Sequence, residues 1–340
     1  MPPQLESEHI YRFKNSLGYD GQVYHYIAHD PFFQRGFDKY LDAPRYRYRR
    51  ILIPLAAYLL SLGHQEFIHA SYIAVILCTV FLGAYWLSAY CSLLGIWPGW
   101  GAAFLLVPAT LISIDRMTID VGLAALCIGF VFFLRKDSQW GIYAVLAAAP
   151  LVRETGLIFI AAYGAYLLWN RKLRLALLFS TAAIPAIAWY LFVQVHTSPY
   201  PYDCCSLVPL KGLVERVLHP PPYPFSWLVN WIATILDYAA LAGVFLAIAL
   251  ALKIAFERRI GPIEISIYLF TLMAVFLSFP DSWRDVYGFA RPITPLLILL
   301  AATSLARRSL IWILPIALMA PRIGLQFGPQ VIGVLRGLLA

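Results

Sequence analysis

Long apolar runs fill most of the chain from Phe67 onward, and this feature limits the fold more than any other. Only 13% of the 340 residues are charged, against roughly 25% in a soluble domain, so a soluble globular enzyme is excluded. Inside a bilayer, only α-helices and closed β-barrels satisfy every backbone hydrogen bond. Barrel strands are alternating segments of about ten residues, whereas the runs in this chain are longer and continuous. The sequence therefore predicts an all-α polytopic membrane protein.

The apolar runs predict a bundle of about ten transmembrane helices. Several runs are shorter than the ~20 residues of a full span, which a bundle tolerates where a short helix is surrounded by others. The predicted crossings are 67–90, 98–114, 118–134, 139–152, 155–169, 174–195, 227–252, 262–279, 293–306 and 310–325.

Basic residues cluster at every second connection between the predicted crossings. The positive-inside rule places such clusters in the cytoplasm, so the connections between them face outward. The net charge of +8 then reflects membrane insertion, and nucleic acid is not an expected partner. The basic clusters are Arg135-Lys136, Arg171-Lys172-Arg174, Lys253-Arg258-Arg259 and Arg307-Arg308, and the outward connections are Asp115–Asp120, Arg153-Glu154, 196–226 and 280–292.

Residues 1–50 form a polar head, which precedes a short apolar segment at 51–66 and the transmembrane bundle at 67–340. As a helix, the apolar run Ile51–Leu62 spans about 18 Å, which is less than the ~30 Å core of a bilayer. We therefore expect an interfacial helix at 51–66 and a head on the outer side of the membrane. The arginines at 45–50 favour the opposite arrangement, with the head in the cytoplasm.

The head contains a carboxylate at a turn, among aromatic residues. Asp20 is followed by Gly21, which lets the backbone turn tightly, and by a short helical run that ends before Pro31. Asp20 is either a functional carboxylate or a helix cap, since Asp is a favoured N-cap residue. His25 and His29 stand four residues apart, so a helix presents both imidazoles on one face. A metal-binding pair and an ordinary hydrogen-bonded pair both fit this spacing, and no metal site is assigned.

Two further features lie in the predicted bundle and its connections. Asp237 interrupts an apolar run, and an intramembrane carboxylate is costly enough to suggest a function; the alternative is that Tyr238 and nearby hydroxyls simply satisfy it. The connection 196–226 contains Pro220-Pro221-Pro222 and several tyrosines. This composition fits a rigid aromatic lid over a sugar or lipid site, and it fits a plain extracellular loop equally well.

The string YDGQVYHYIAHDPF, at 19–32, and the string RRILIPLAAYLLSLG, at 49–63, resemble the opening of bacterial GT-C superfamily glycosyltransferases. These integral membrane enzymes take a sugar from a polyprenyl-phosphate carrier on the outer side of the membrane. Three later stretches, Ser113–Asp120, Leu151–Leu157 and Trp283–Pro292, are similar to external turns of the same superfamily. The resemblance implies a GT-C-like bundle with an interfacial helix and external loops.

The resemblance also implies roles for individual residues. In the superfamily, an Asp in the first external loop is the catalytic base or the carboxylate that orients the acceptor, and Asp20 matches that position. Asp120 and Asp30 would assist it. The implied donor-phosphate ligands are Arg291, Arg284, Arg153 and Arg116, for which structural ion pairs with Glu154, Asp281 or Asp285 are the alternative, and the implied acceptor or sugar ligands are Tyr19, Tyr24 and Tyr287.

We therefore expect a glycosyltransferase of the bacterial inner membrane, with an external active face, that moves a sugar to a cell-surface glycan or lipid. The expected partners are membrane lipids and a polyprenyl-phosphate-linked sugar. A divalent metal is compatible with this reaction, but the sequence does not require one.

Superfamily members normally have a transmembrane helix before the external Asp loop, whereas Met1–Arg50 contains no apolar run of seven residues. This departure favours a second interpretation, a non-catalytic GT-C-like accessory or structural subunit of a membrane complex, which would have other membrane proteins as partners. A transporter is a third interpretation, but the sequence shows no internal repeat of the kind that many transporters have.

Overall fold

The chain is 81% helical in the computed structural model, which describes residues 2–5, 19–199, 205–221, 223 and 226–339. Part of the predicted head and part of the connection 196–226, including Pro222, lie outside these ranges. Within them, extended pairing is limited to one isolated bridge between Cys205 and Leu277. The predicted all-α class is confirmed.

Helices follow one another along the chain with short connections. Short 3₁₀ helices lie at Pro3–Leu5, Phe37–Tyr40, Pro98–Leu106, Glu154–Gly156, Thr181–Ala183 and Leu310–Ile313. The α-helices are α1 (Asp20–His29), α2 (Pro44–Tyr48), α3 (Leu52–Leu60), α4 (Gln65–Leu93), α5 (Pro108–Arg116), α6 (Asp120–Arg135), α7 (Gln139–Val152), α8 (Leu157–Trp169), α9 (Leu173–Ser180), α10 (Ile184–His196), α11 (Lys211–Leu218), α12 (Trp227–Phe256), α13 (Pro262–Phe276), α14 (Pro280–Trp283), α15 (Val286–Arg307) and α16 (Leu314–Leu339).

Five helical stretches of the described chain are long and apolar enough to cross a membrane. Pro98–Leu106 and α5 are bent by 59° at their junction. If the two are counted together as one broken span, the number of candidate spans in the described chain rises to six. Val107 is extended at this junction and Pro108 begins α5, as expected for a residue that precedes proline. The five stretches are α4, Leu173–His196, α12, α15 and Leu310–Gly333, and the shorter apolar helices are α7, Glu154–Trp169 and α13.

Helices α15 and α6 form the centre of the bundle. In α15, 78% of the apolar window is buried, against 28–44% in the other four candidate spans. An apolar surface on all sides is typical of a helix that is enclosed by others. Asp120 at the start of α6 lies near Arg291 in α15, and one turn further along α15, Pro295 O is 3.7 Å from Cys127 Sγ. The two central helices therefore run in the same direction.

The C-terminal ends of α12 and α15 are tied together at the opposite end of the bundle. Arg307 Nη1 lies 3.1 Å from Glu257 Oε2, and the Arg307 guanidinium lies 4.5 Å from the ring centre of Trp312. The ammonium of Lys253 contacts the same ring. Two of the basic clusters that the sequence assigned to one side of the membrane thus share one end of the bundle.

Helices α1 and α3 pack against each other and against α4, while α1 also contacts α5 and α3 also contacts α7. Helix α3 has only nine residues, about 14 Å at 1.5 Å per residue. It buries Ile53, Pro54 and Ala57 against the bundle and exposes Leu59 and Leu60. A helix this short with one exposed apolar edge is compatible with the expected interfacial position at 51–66.

Gly21 allows α1 to approach the connection between α5 and α6. A Cβ atom at Gly21 would overlap the carbonyl oxygen of Arg116 and come within 2.8 Å of Met117 O. These are backbone atoms, which cannot rotate away as a side chain can. The glycine that follows Asp20 in the sequence is therefore required for close packing of the head.

We expect Gly21→Ala to lower the free energy of unfolding by about 1–3 kcal/mol, the usual cost of overpacking. Gly164→Ala, in α8, is the matched control, because its Cβ atom meets open space and alanine is the better helix former. Thermal melting of both variants in detergent measures the difference. Equal melting temperatures would show that α1 does not pack against the α5–α6 connection.

Candidate functional site

Carboxylates and guanidinium groups from four separate segments meet at the N-terminal end of α15. Asp20 is the first residue of α1, and Asp120 is the first residue of α6. Arg291 Nη1 lies 2.5 Å from Asp20 Oδ2 and 3.6 Å from Asp120 Oδ2. Arg153, directly after α7, donates a hydrogen bond to Asp120 Oδ1. Four residues that the sequence singles out therefore form one continuous chain of ion pairs, although Asp20 and Arg291 are 271 positions apart.

Arg47 is a member of this site that the sequence analysis missed. Its Nη1 lies 3.0 Å from Asp20 Oδ1, and its Nη2 lies 2.8 Å from Asp42 Oδ2. From the sequence, the arginines at 45–50 indicate only the topology of the head, and their number in a short stretch is the one cue to a second role. Asp20, Asp120, Arg47, Arg153 and Arg291 are called the Asp20 cluster below.

Arg50 joins the head to the turn after α7, and it too was missed as a site residue. It is 5% exposed, and its Nε lies 3.0 Å from Glu154 Oε2. Its Nη1 donates to Tyr24 Oη over 2.9 Å. Burial opposes the charge of Arg50, but Glu154 outweighs that effect and holds the pKa of Arg50 above its usual value. Tyr24 is 1% exposed, so it positions Arg50 from inside the fold.

Aromatic rings cover the arginines of the site. The Tyr19 ring centre is 5.1 Å from the Arg291 guanidinium and 5.8 Å from that of Arg116. Arg116 Nε lies 3.1 Å from Asp115 Oδ2, and the Tyr287 hydroxyl donates to the same oxygen over 2.9 Å. Tyr19 thus links the Asp20 cluster to a neighbouring pair formed by Arg116 and Asp115.

Asp20 is the more accessible carboxylate of the cluster. Its side chain is 22% exposed, whereas that of Asp120 is 4% exposed. Burial favours the neutral acid at Asp20, but the guanidiniums of Arg291 and Arg47 outweigh it and hold the pKa of Asp20 well below its usual range. Asp20 is therefore anionic at neutral pH and can accept a hydrogen bond from a hydroxyl group that reaches it.

Two of the predicted site residues lie away from the cluster. Asp30 is 2% exposed, and its carboxylate accepts hydrogen bonds from the backbone N–H groups of Gln34, Arg35 and Phe37 at 2.7, 2.9 and 3.3 Å. These contacts fix the loop after α1. Arg284 follows α14 and lines a separate cavity.

His25 and His29 share one face of α1, as their spacing predicts. Their Nε2 atoms are 3.3 Å apart, and the His69 ring centre lies 5.3 Å from that of His25. Burial lowers the pKa of His25 to about 3, with a further contribution from the two neighbouring histidines. Burial likewise lowers the pKa of His29 to about 4. In the described residues, no group of three or more His, Cys, Asp or Glu side chains is arranged to hold a metal ion.

Asp237 is paired with two arginines inside the bundle. Its Oδ2 lies 2.6 Å from Arg216 Nη2, and its Oδ1 lies 2.7 Å from Arg322 Nε. The Tyr223 hydroxyl also donates to Oδ2. Tyr238, the neighbour that the sequence suggested, donates instead to a backbone carbonyl of α11.

Comparisons with protein-family models, with curated proteins and with solved structures found no match for this chain. A function for the chain therefore rests on the residues and the geometry described above.

We expect stability to fall as the pH is lowered from about 6.5 to about 4, because His25 and His29 stay neutral in the folded chain. In the unfolded chain they take up protons near pH 6.5. Stability therefore rises with pH in this window, by at most about 1.4 kcal/mol per pH unit for each histidine. The measurement is thermal melting in detergent between pH 7.5 and 4.5, for the original chain and for His25→Gln.

His64→Gln is the control for this series, because His64 is exposed. The pH dependence should weaken in His25→Gln and persist in His64→Gln. An identical pH dependence in all three proteins would contradict the assignment of buried neutral imidazoles.

Proposed function

We propose that the chain is a membrane glycosyltransferase of GT-C type, which transfers a sugar from a polyprenyl-phosphate donor to a cell-surface glycan or lipid. The observation that carries this proposal is the meeting of Asp20, Asp120, Arg153 and Arg291 at one end of the bundle. Glycosyl transfer from a phosphate needs a carboxylate for the acceptor proton and cations for the departing phosphate. The Asp20 cluster contains both groups.

In the proposed reaction, an acceptor hydroxyl oxygen attacks the anomeric carbon of the donor sugar. A new glycosidic bond forms, and the bond between the anomeric carbon and the phosphate oxygen breaks. The hydroxyl proton moves to the Asp20 carboxylate, and the carrier leaves as polyprenyl phosphate. Arg291 and Arg153 are the cations closest to the two carboxylates, and guanidinium groups suit phosphate oxygens.

The proposal includes a topology with about ten crossings and an external active face in a bacterial inner membrane. Each of the ten runs predicted from the sequence coincides with a helix or with consecutive helices. Arg291 is 16 residues before Arg307, about 24 Å along α15, so the Asp20 cluster lies at the end opposite to the basic connections. With those connections in the cytoplasm, the cluster faces outward.

A second candidate function is that of a non-catalytic accessory subunit of a membrane complex. The observation in its favour is the charge balance of the site, since Arg47, Arg153 and Arg291 are matched by Asp20, Asp120 and Asp42. Such a network could hold the head on the bundle without taking part in any reaction. The two functions differ in whether Asp20 is needed for turnover.

We expect Asp20→Asn to reduce transfer by about 10²-fold or more, because it keeps the shape of the side chain and removes the base. The assay is release of polyprenyl phosphate from a panel of polyprenyl-phosphate-linked sugars, with purified chain in lipid nanodiscs and mixed cell-envelope acceptors. Asp42→Asn is the matched control. Asp42 pairs with the same Arg47, but it is not one of the two carboxylates, Asp20 and Asp120, that lie next to Arg291. It should retain most of the activity.

Retained activity in Asp20→Asn would exclude Asp20 as the base. If the original chain releases no polyprenyl phosphate from any donor while Asp20→Asn melts at a lower temperature, the accessory function is favoured instead.

We expect a cysteine at Lys39 to react with a membrane-impermeant thiol reagent in intact cells, because the head faces outward in the proposed topology. The other arm is Asn170→Cys, beside the basic connection Arg171-Lys172, which should react only after lysis. Both positions are exposed, and the native cysteines are replaced first. Labelling in the reverse order would overturn the external active face.

A further inference from the structure

A second polar site lies between α11 and α14, near the N-terminal end of α15. It is a cavity of about 190 Å³, which corresponds to roughly six water molecules at about 30 Å³ each. Arg216 and His219 of the α11 segment line one side, and Trp283 and Arg284 line the other. We call it the Arg216 cavity.

Arg216, which lines the cavity, belongs to a buried group of side chains with more positive than negative charge. Arg216 and Arg322 share the single carboxylate of Asp237, at 2.6 and 2.7 Å. Both arginines are buried, with 5% and 3% exposure, and an arginine side chain stays protonated in a protein. One buried carboxylate therefore faces two buried cations, and Arg284 adds another cation at the cavity.

Arg216 has hydrogen-bond donors for which the described residues provide no acceptor. Its Nη2 pairs with Asp237, whereas its Nε and Nη1 are fully buried and have no hydrogen-bond partner in the described structure. Buried donors of this kind are rare, because leaving them without an acceptor is costly. Glu215 also lines the cavity, but its side chain is 55% exposed and lies 3.9 Å from Lys211 Nζ.

We propose that the Arg216 cavity binds a phosphate group. A guanidinium group recognises oxyanions, and the surplus positive charge calls for an anion. Phosphate has more acceptor oxygens than the two of a carboxylate, which suits the three N–H groups on Nε and Nη1 of Arg216 together with the guanidinium of Arg284. Inorganic phosphate and the phosphate headgroup of a lipid share this chemistry. The proposal does not depend on the proposed transferase function.

The test measures binding of radiolabelled inorganic phosphate to the purified full chain in detergent, at constant ionic strength set with chloride. A second arm measures retention of phosphatidic acid against phosphatidylcholine in nanodiscs. Arg284→Gln removes an exposed cation at the cavity without disturbing the buried pairs, and we expect at least about a tenfold loss of affinity. Arg174→Gln, an exposed arginine of α9, is the matched control and should leave affinity unchanged.

Arg216→Lys is the second variant, because it keeps the charge and removes the planar fork. Its affinity should fall as well, and its melting temperature reports whether the pair with Asp237 survives. Binding of free phosphate supports a soluble ligand, and selective retention of phosphatidic acid supports a lipid headgroup. The proposal is overturned if the original chain neither binds inorganic phosphate in the presence of chloride nor retains phosphatidic acid more than phosphatidylcholine. It is also overturned if Arg284→Gln binds these probes as tightly as Arg174→Gln.

Discussion

The contact of Arg291 with two carboxylates determines where the polar head lies on the bundle. Arg291 belongs to the central helix α15, Asp120 begins the other central helix, and Asp20 begins the first helix of the head. The side chains of Arg291 and Asp120 are only 15% and 4% exposed. Removing such charges from water is costly, and removing one partner leaves an uncompensated charge, at a cost of about 3–5 kcal/mol. A displaced head would remove Asp20 and leave the guanidinium groups of Arg291 and Arg153 with Asp120 as their shared carboxylate.

Much of the helical framework could be predicted from the sequence, because apolar runs in a bilayer have few structural options. The structure brings Asp20 together with Asp120, Arg153 and Arg291, and the sequence analysis singles out all four residues. Arg47 and Arg50 could not be assigned to the site in the same way. Basic residues beside an apolar run serve membrane insertion as well as ion pairing, and their acidic partners, Asp20 and Glu154, are distant in the sequence.

The carboxylates of Asp30 and Asp237 show why local reasoning from the sequence is limited. Asp30 organises a loop by accepting hydrogen bonds from backbone N–H groups four to seven residues later. The side chains of those residues do not reveal such contacts. Asp237 finds its partners 21 and 85 residues away. Tyr238 is its neighbour in sequence, but adjacent residues on a helix do not face each other. The local backbone conformation determines the partners of Asp30, and tertiary packing determines those of Asp237; neither can be deduced from the pattern of side chains along the chain.

The two polar clusters near the start of α15 differ in charge balance, and this difference constrains what each can do. In the Asp20 cluster, three arginines are matched by three aspartates once Asp42 is included, and the accessible group is a carboxylate. A hydroxyl-bearing ligand suits this accessible carboxylate. Around Asp237, two buried arginines share one carboxylate, so an anion is the group that restores neutrality. Because Arg284 and Arg291 are only seven residues apart, the Arg216 cavity and the Asp20 cluster both lie near the N-terminal end of α15, and their opposite charge balance favours different ligand groups at neighbouring positions.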